Sequence, residues 1–366
     1  MIKLDGIKDG SRIAVAMSGG VDSSVAAALM VEAGYDVVGI TLQLYDHGQM
    51  INKKGACCAG QDIYDAKTVA DRLNFPHYVL DYESIFKQSV IDDFADSYLQ
   101  GETPIPCIRC NQRVKFKDLL TTAQDLGAEA LVTGHYVRRL PSPNGSQLLR
   151  AVDHNRDQSY FLFTTTQEQL DYLRFPLGGM EKTETRDHAR RFGLEVAEKP
   201  DSQDICFVPT GGYASVVSKL RPGALEAGDI VHMDGTILGR HQGIINYTIG
   251  QRRGLGIASA DPLYVIKLEP KTHRVIVGPY SALAKTSIFL KEVNWLVNSE
   301  EFRGLYSCFV KVRSTHQPVA AVVKKLDDSS AEVTFTAPEY GIAYGQACVF
   351  LENDRILGGG WISQNS

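Results

Sequence analysis

Two groups of residues in this chain could do chemistry. The first is the run Ser18-Gly19-Gly20-Val21-Asp22-Ser23. Its paired glycines let a backbone come close to a ligand. Ser18, Ser23 and Ser24 add hydroxyl donors, and a helix beginning here would present free N–H groups and the positive end of its dipole. That combination suits a phosphate. It lacks the Gly-Lys-Ser/Thr ending of a P-loop, so nothing local supplies a lysine to the phosphates. Asp22 in this setting points to a metal ion or a magnesium-bound pyrophosphate. The second group is sulfur. Of seven cysteines, Cys308 and Cys348 fall in apolar, strand-like runs and read as core. Cys57, Cys58, Cys107, Cys110 and Cys206 lie near turn-like segments. Cys107-x-x-Cys110 is open to three readings: a zinc knuckle lacking its partner pair, a dithiol outside a thioredoxin-like unit, or two inert thiols.

The elements that must hold these residues follow from the pattern of apolar residues. Arg12 to Met17 reads as a buried parallel strand, and Ser24 to Ala33 as a helix stopped by Gly34. Strands over 36–44, 77–80 and 130–133 alternate with helices over 62–73, 85–99 and 112–126, which predicts a doubly wound parallel sheet. Ligands of such sheets bind beyond the carboxyl ends of the strands, placing Leu42 near the nucleotide. Pro104 and Pro106 argue against a regular element around Cys107 and Cys110, so both thiols are expected on a loop. Asn111 would cap the following helix, and a thiol at a helix start would have a lowered pKa. A further helix, over 183–192, would have Thr183 as its cap. From about residue 211 glycines multiply, with a basic stretch at Tyr247–Gly256. From about residue 284 short strands predict a small antiparallel barrel. The expected domains are 1–215, 216–283 and 284–366.

Composition narrows the rest. The chain has 366 residues, 44 % of them hydrophobic, and a net charge of −5. No apolar run approaches a membrane span, and the first residues lack signal-peptide architecture. The net charge speaks against a general nucleic-acid coat but not against a local basic groove. Odd cysteine usage without a secretory signal predicts reduced thiols and a cytoplasmic protein.

The glycine–serine run resembles the PP-loop of N-type ATP pyrophosphatases. Further motifs resemble the tRNA-specific 2-thiouridylases of the MnmA/TrmU type: Cys110–Lys117, Thr133-Gly134-His135-Tyr136, Asp157–Leu162, Asp204-Ile205-Cys206-Phe207, Tyr247–Ile257, Gly345-Gln346 and Gly358–Ile362. They span nearly the whole chain. The resemblance implies a Rossmann-like domain, a small central domain and a C-terminal β-barrel. It also implies ATP-dependent 2-thiolation of a wobble uridine, with magnesium, and a sulfur donor from a cysteine-desulfurase relay. On that resemblance Ala16, Met17, Ser18, Gly19, Gly20, Val21, Asp22, Ser23, Leu42 and Gly134 contact ATP. Ile105, Pro106 and Cys107 lie near the target base. His135, Asp157, Gln158, Ser159, Arg313, Ser314 and Gln346 contact tRNA. Arg252 and Arg253, from their Gly-rich setting, read as backbone or phosphate contacts. Cys206 carries the persulfide. Cys110 is the second catalytic cysteine, which either releases sulfide or closes a transient disulfide with Cys206. Many members of that family have an aspartate with an acid/base role where this chain has Cys107. Asp201 or Asp204 could substitute. An alternative is an iron–sulfur cluster held by Cys107, Cys110 and Cys206.

Overall fold

The computed structural model describes residues 2–45, 58–201, 205–208, 212–297, 302 and 304–364, without the side chains of 58–59. Cys57, the Cys58 side chain and Asp204 therefore lie outside the described residues. The chain forms two compact units. One comprises residues 1–89, 107–207 and 354–356, the other 90–106, 208–353 and 357–366.

The first unit is built on a five-stranded parallel sheet in the order β3-β2-β1-β4-β7. Its strands are β1 (Arg12–Ala16), β2 (Asp36–Gln43), β3 (His77–Asp81), β4 (Leu131–Val132) and β7 (Leu173–Arg174). Ile13, Ala14 and Val15 are completely buried, as the apolar run requires. Helix α1 (Val21–Glu32) is buried along most of its length, from Val25 to Met30 without a break. A helix this apolar on all sides belongs inside the layers. It stops before Gly34, which takes φ +85. Helix α2 (Cys58–Leu73) lies against β2. A short hairpin, β5 (Val137–Leu140) and β6 (Gln147–Arg150), pairs through Leu149 with Arg355.

Helices α3 (Glu83–Phe86) and α4 (Asp92–Leu99) are joined by a π turn at Lys87–Ile91. The structure then corrects the expected cysteine loop. Helix α5 (Pro106–Cys110) runs into a π turn at Asn111–Lys115 and on into α6 (Phe116–Asp125). Pro106 is the first helical residue, where a missing N–H is tolerated and a fixed φ helps. Asn111 is thus inside a helical run and caps nothing. It is buried, with Nδ2 donating to Phe161 O at 3.2 Å. Helix α7 (Gln167–Tyr172) carries a Thr166–Gln169 capping box. Helix α8 (Lys182–Arg191) is capped by Glu181 with Glu184, so Thr183 is a first-turn residue and not the cap.

The second unit contains α9 (Tyr213–Leu220) and a four-stranded sheet of β8 (Gly228–His232), β9 (Ile237–His241), β10 (Tyr264–Glu269) and β11 (Arg274–Gly278), ordered β10-β11-β8-β9. Six antiparallel strands follow: β12 (Ala284–Trp295), β13 (Leu305–Lys311), β14 (Val319–Lys325), β15 (Ala331–Tyr340), β16 (Ala347–Glu352) and β17 (Arg355–Ser363). Pairing of β12 with β17 closes them into a barrel. Its interior is aliphatic and aromatic, and Cys308 and Cys348 are buried in it as expected.

Candidate active site

The phosphate loop leaves β1 and enters α1. Gly19 has φ +72, and a Cβ there would stand 2.1 Å from the Asp62 carbonyl oxygen. Only glycine fits. Gly134 is constrained in the same way: its Cβ would meet Ser23 N at 2.7 Å. Ser18 and Ser23 close the loop internally. Ser23 Oγ accepts from Ser18 N at 3.1 Å and lies 3.1 Å from Ser18 Oγ, while Ser24 Oγ donates to Gly20 O at 2.8 Å. The helix starts at Val21, and its N-cap residue, Gly20, offers no side-chain cap. Its first-turn N–H groups are therefore available to an anion.

The lysine missing from the local sequence is brought in by the fold. Lys182, at the start of α8, places Nζ 2.7 and 2.9 Å from the two carboxylate oxygens of Asp22. The same ammonium lies 2.8 Å from Asp201 Oδ1. Tyr136 OH donates to Asp22 Oδ1 at 2.9 Å. Asp22 is thus ion-paired with Lys182 in this structure. Lys199 supplies a second cation: its Nζ donates to Gly19 O at 2.9 Å and pairs with Asp62 and Asp65. Burial lowers the Lys199 pKa, but these two carboxylates outweigh it and hold the ammonium charged. Tyr136, Lys182 and Lys199 are the site residues that sequence reasoning missed as such. No local signal marks either lysine, because each acts on a loop about 160 to 180 positions away.

Asp201 does not resemble a titrating acid. Burial raises its pKa, but Lys182, Arg156 and Arg186 together bring it below the usual value. It is an ionised link in a charge network.

Cys107 and Cys110 are separated by one helical turn, and Cys110 is buried whereas Cys107 and Cys206 reach solvent. Cys206 is held by Tyr45, whose OH donates to its carbonyl at 2.9 Å. The expected low-pKa thiolate is corrected here. Burial raises the pKa of both Cys107 and Cys110, with Lys115 opposing it. Cys206 touches solvent but is closely surrounded by protein, which pushes its thiol up to about 12. Cys110 and Cys107 add to the rise and Lys115 opposes it. The three thiols therefore share one electrostatic neighbourhood, with the half-buried Lys115 as its cation. Among the described residues no group of three or more His, Cys, Asp or Glu is arranged to hold a metal ion. The three described sulfurs as they stand do not fit an iron–sulfur cluster.

The remaining expected residues divide by burial. Leu42 is half-buried near the end of β2. His135 Nδ1 lies 2.8 Å from Thr133 Oγ1, its ring edge meets Phe116, and burial with Lys115 nearby lowers its pKa to about 3. It is neutral. The Asp157 carboxylate accepts from Arg150, Ala151 N and both Ser159 donors, and Ser159 is itself buried. Gln158 Oε1 accepts from Tyr136 N at 2.8 Å, tying this turn to the residue that holds Asp22. In the second unit, Ile105 is half-buried, Arg313 Nη2 donates to Tyr340 O, Ser314 is half-exposed, and Gln346 Nε2 donates to Thr103 O at 2.8 Å.

A parallel α/β sheet with an anion nest at its first turn, followed by a mixed four-stranded sheet and a closed barrel, defines a multidomain HUP-type protein. Residues 11–210 match the profile of a "tRNA methyl transferase HUP domain", 219–279 a "tRNA methyl transferase PRC-barrel domain" and 285–362 an "Aminomethyltransferase beta-barrel domain". The tRNA-specific 2-thiouridylase MnmA of Rhodospirillum centenum is 63 % identical over 360 residues, covering 96 % of this chain and 91 % of that protein. That of Paracoccus denitrificans is 61 % identical, covering 96 % and 92 %. The Rickettsia massiliae protein of the same name is 60 % identical, covering 97 % of each. The chain belongs to the tRNA-specific 2-thiouridylase (MnmA) family.

Proposed function

We propose that this protein replaces the C2 oxygen of a tRNA wobble uridine by sulfur, at the expense of ATP. The observation that carries this reading is the presence, in one unit, of a lysine-served anion nest and three thiols in a common electrostatic neighbourhood. The nest binds the triphosphate, and the uridine C2 oxygen attacks its α-phosphorus. Pyrophosphate leaves, and the oxygen becomes part of an adenylate. The outer sulfur of a persulfide on Cys206 then attacks C2, and AMP departs with the oxygen. Cys110, deprotonated with help from Lys115, attacks the inner sulfur. This breaks the bond to the transferred sulfur, frees the thiolated base and leaves a Cys110–Cys206 disulfide. An external thiol reductant must return both to thiols before the next turnover. The persulfide comes from a cysteine-desulfurase relay, and magnesium accompanies the nucleotide. Asp22 would hold that magnesium only after releasing Lys182, so no step here depends on it.

The reading is tested by single replacements of the two cysteines. Cys206→Ser and Cys110→Ser should each abolish 2-thiouridine, measured by mass spectrometry of digested tRNA, while the tRNA-dependent release of pyrophosphate that accompanies adenylation is retained. Full thiolation by Cys206→Ser would overturn the assignment.

A further inference from the structure

The second unit carries an aromatic stack that the sulfur chemistry does not use. The Tyr280 ring lies 4.7 Å from that of Tyr340 at an angle of 8°, a parallel stack. Tyr264 meets Tyr280 edge-on at 5.3 Å. Tyr280 nevertheless remains 51 % exposed. One ring face is covered by Tyr340, and about half of the residue stays open to solvent. A large aromatic held stiffly by two other rings and still half exposed is an unusual surface feature.

One arginine contacts the backbone of the stack. Arg313 donates to Tyr340 O at 3.1 Å, while its Nε is buried without a partner. Among the described residues no carboxylate is paired with Arg313. The basic loop lies against both ends of the stack. Gly250 N donates to Val265 O, and Val265 N donates to Gln251 O, beside Tyr264. A Cβ on Gly250 would reach Gly341 Cα at 3.4 Å, beside Tyr340. Arg252 and Arg253 follow directly and are exposed. The carboxylate adjoining Tyr340, Glu339, faces His316 at 3.4 Å.

We propose that Tyr280 is a stacking platform for an unpaired nucleotide of the tRNA, with Arg252, Arg253 and Arg313 serving the adjoining phosphates. Bases stack on such rings irrespective of identity, because every base has a π-face. The cations argue for an RNA occupant over an apolar peptide, since they would be left unpaired beneath one. The platform rests on the tRNA reading above and adds to it a site and a mode of contact.

The test compares wild type with Tyr280→Ala, Tyr280→Phe and Tyr280→Trp, using purified substrate tRNA in equilibrium binding and steady-state thiolation. Tyr280→Ala should weaken tRNA binding roughly 5- to 100-fold and raise the KM for tRNA, with kcat unchanged. Tyr280→Phe and Tyr280→Trp should bind like wild type. The salt dependence should keep its slope in Tyr280→Ala and become shallower in Arg252→Ala with Arg253→Ala. Wild-type affinity in Tyr280→Ala overturns the platform, and so does a Tyr280→Phe protein as weak as Tyr280→Ala. Should Tyr280→Ala fail to fold, loss of binding by the folded Phe and Trp variants overturns it equally. A wild-type protein that ignores tRNA would instead overturn the function reading and the platform with it.

Discussion

The phosphate loop and the cysteine helix are both motifs of about half a dozen residues in the same unit, yet they were not equally readable. The loop's form follows from its own residues: Gly19 because of its positive φ and its contact with Asp62, Ser23 because its hydroxyl closes the turn. The cysteine segment misleads a local reading. Its prolines suggest a loop, but Pro106 opens a helix, and the thiols are shaped by what packs around them. A motif defined by backbone geometry is legible from sequence. One defined by burial and remote charge is not.

The comparison can be broken most severely at the loop. Gly19→Ala forces a Cβ to within 2.1 Å of the Asp62 carbonyl, at a backbone angle that alanine resists. Either the loop or α2 must move. ATP-dependent AMP release should fall at least a hundredfold, with the β-barrel and its thermal transition retained. Near-normal turnover in Gly19→Ala would mean the loop is not held as rigidly as its geometry implies.

Next in size is the lysine that the fold supplies. Lys182→Met leaves the Asp22 charge beside the anion nest and strands Asp201 with fewer partners. Breaking a largely buried pair costs about 3 kcal/mol, and the ATP kcat/KM should fall about a hundredfold. If the main service of Lys182 is to neutralise Asp22, adding Asp22→Asn should restore about a tenth of wild-type kcat/KM. No recovery in the double variant would show that Lys182 acts on the phosphates directly.

How much was legible from sequence alone follows the same division. The parallel sheet was readable because Arg12–Ala16 and Asp36–Gln43 are apolar runs ended by turn residues. Barrel strands such as Val319–Lys325 were readable from their short runs, whereas Ala284–Trp295 was not singled out. Its irregular pairing spoils the alternation, with register shifts at Lys285/Ser287 and Lys291/Asn294. The Lys182 partner of Asp22 has no local signal, since it is 160 positions distant. Thiol acidity was beyond reach for the same reason. Burial of Cys110 is set by the whole unit and not by the helix start next to it.

That last point yields the gentlest test of the comparison, because it needs no substitution. A thiol at an exposed helix start would have a low pKa, and its alkylation rate would level off near neutral pH. Cys206 has its pKa pushed up to about 12 by the protein packed around it. Below that pKa the thiolate fraction, and with it the rate, rises about tenfold per pH unit. Alkylation of Cys206 in the protein without ATP or tRNA should therefore climb without a plateau from pH 7 to pH 10, followed by mass spectrometry of the Cys206 peptide. Lys115 opposes the rise in pKa, so Lys115→Met should slow Cys206 alkylation severalfold at each pH while keeping the slope. A plateau below pH 9 would mean that Cys206 is ionised by something other than its present surroundings. The cysteine site would then be as locally determined as the phosphate loop.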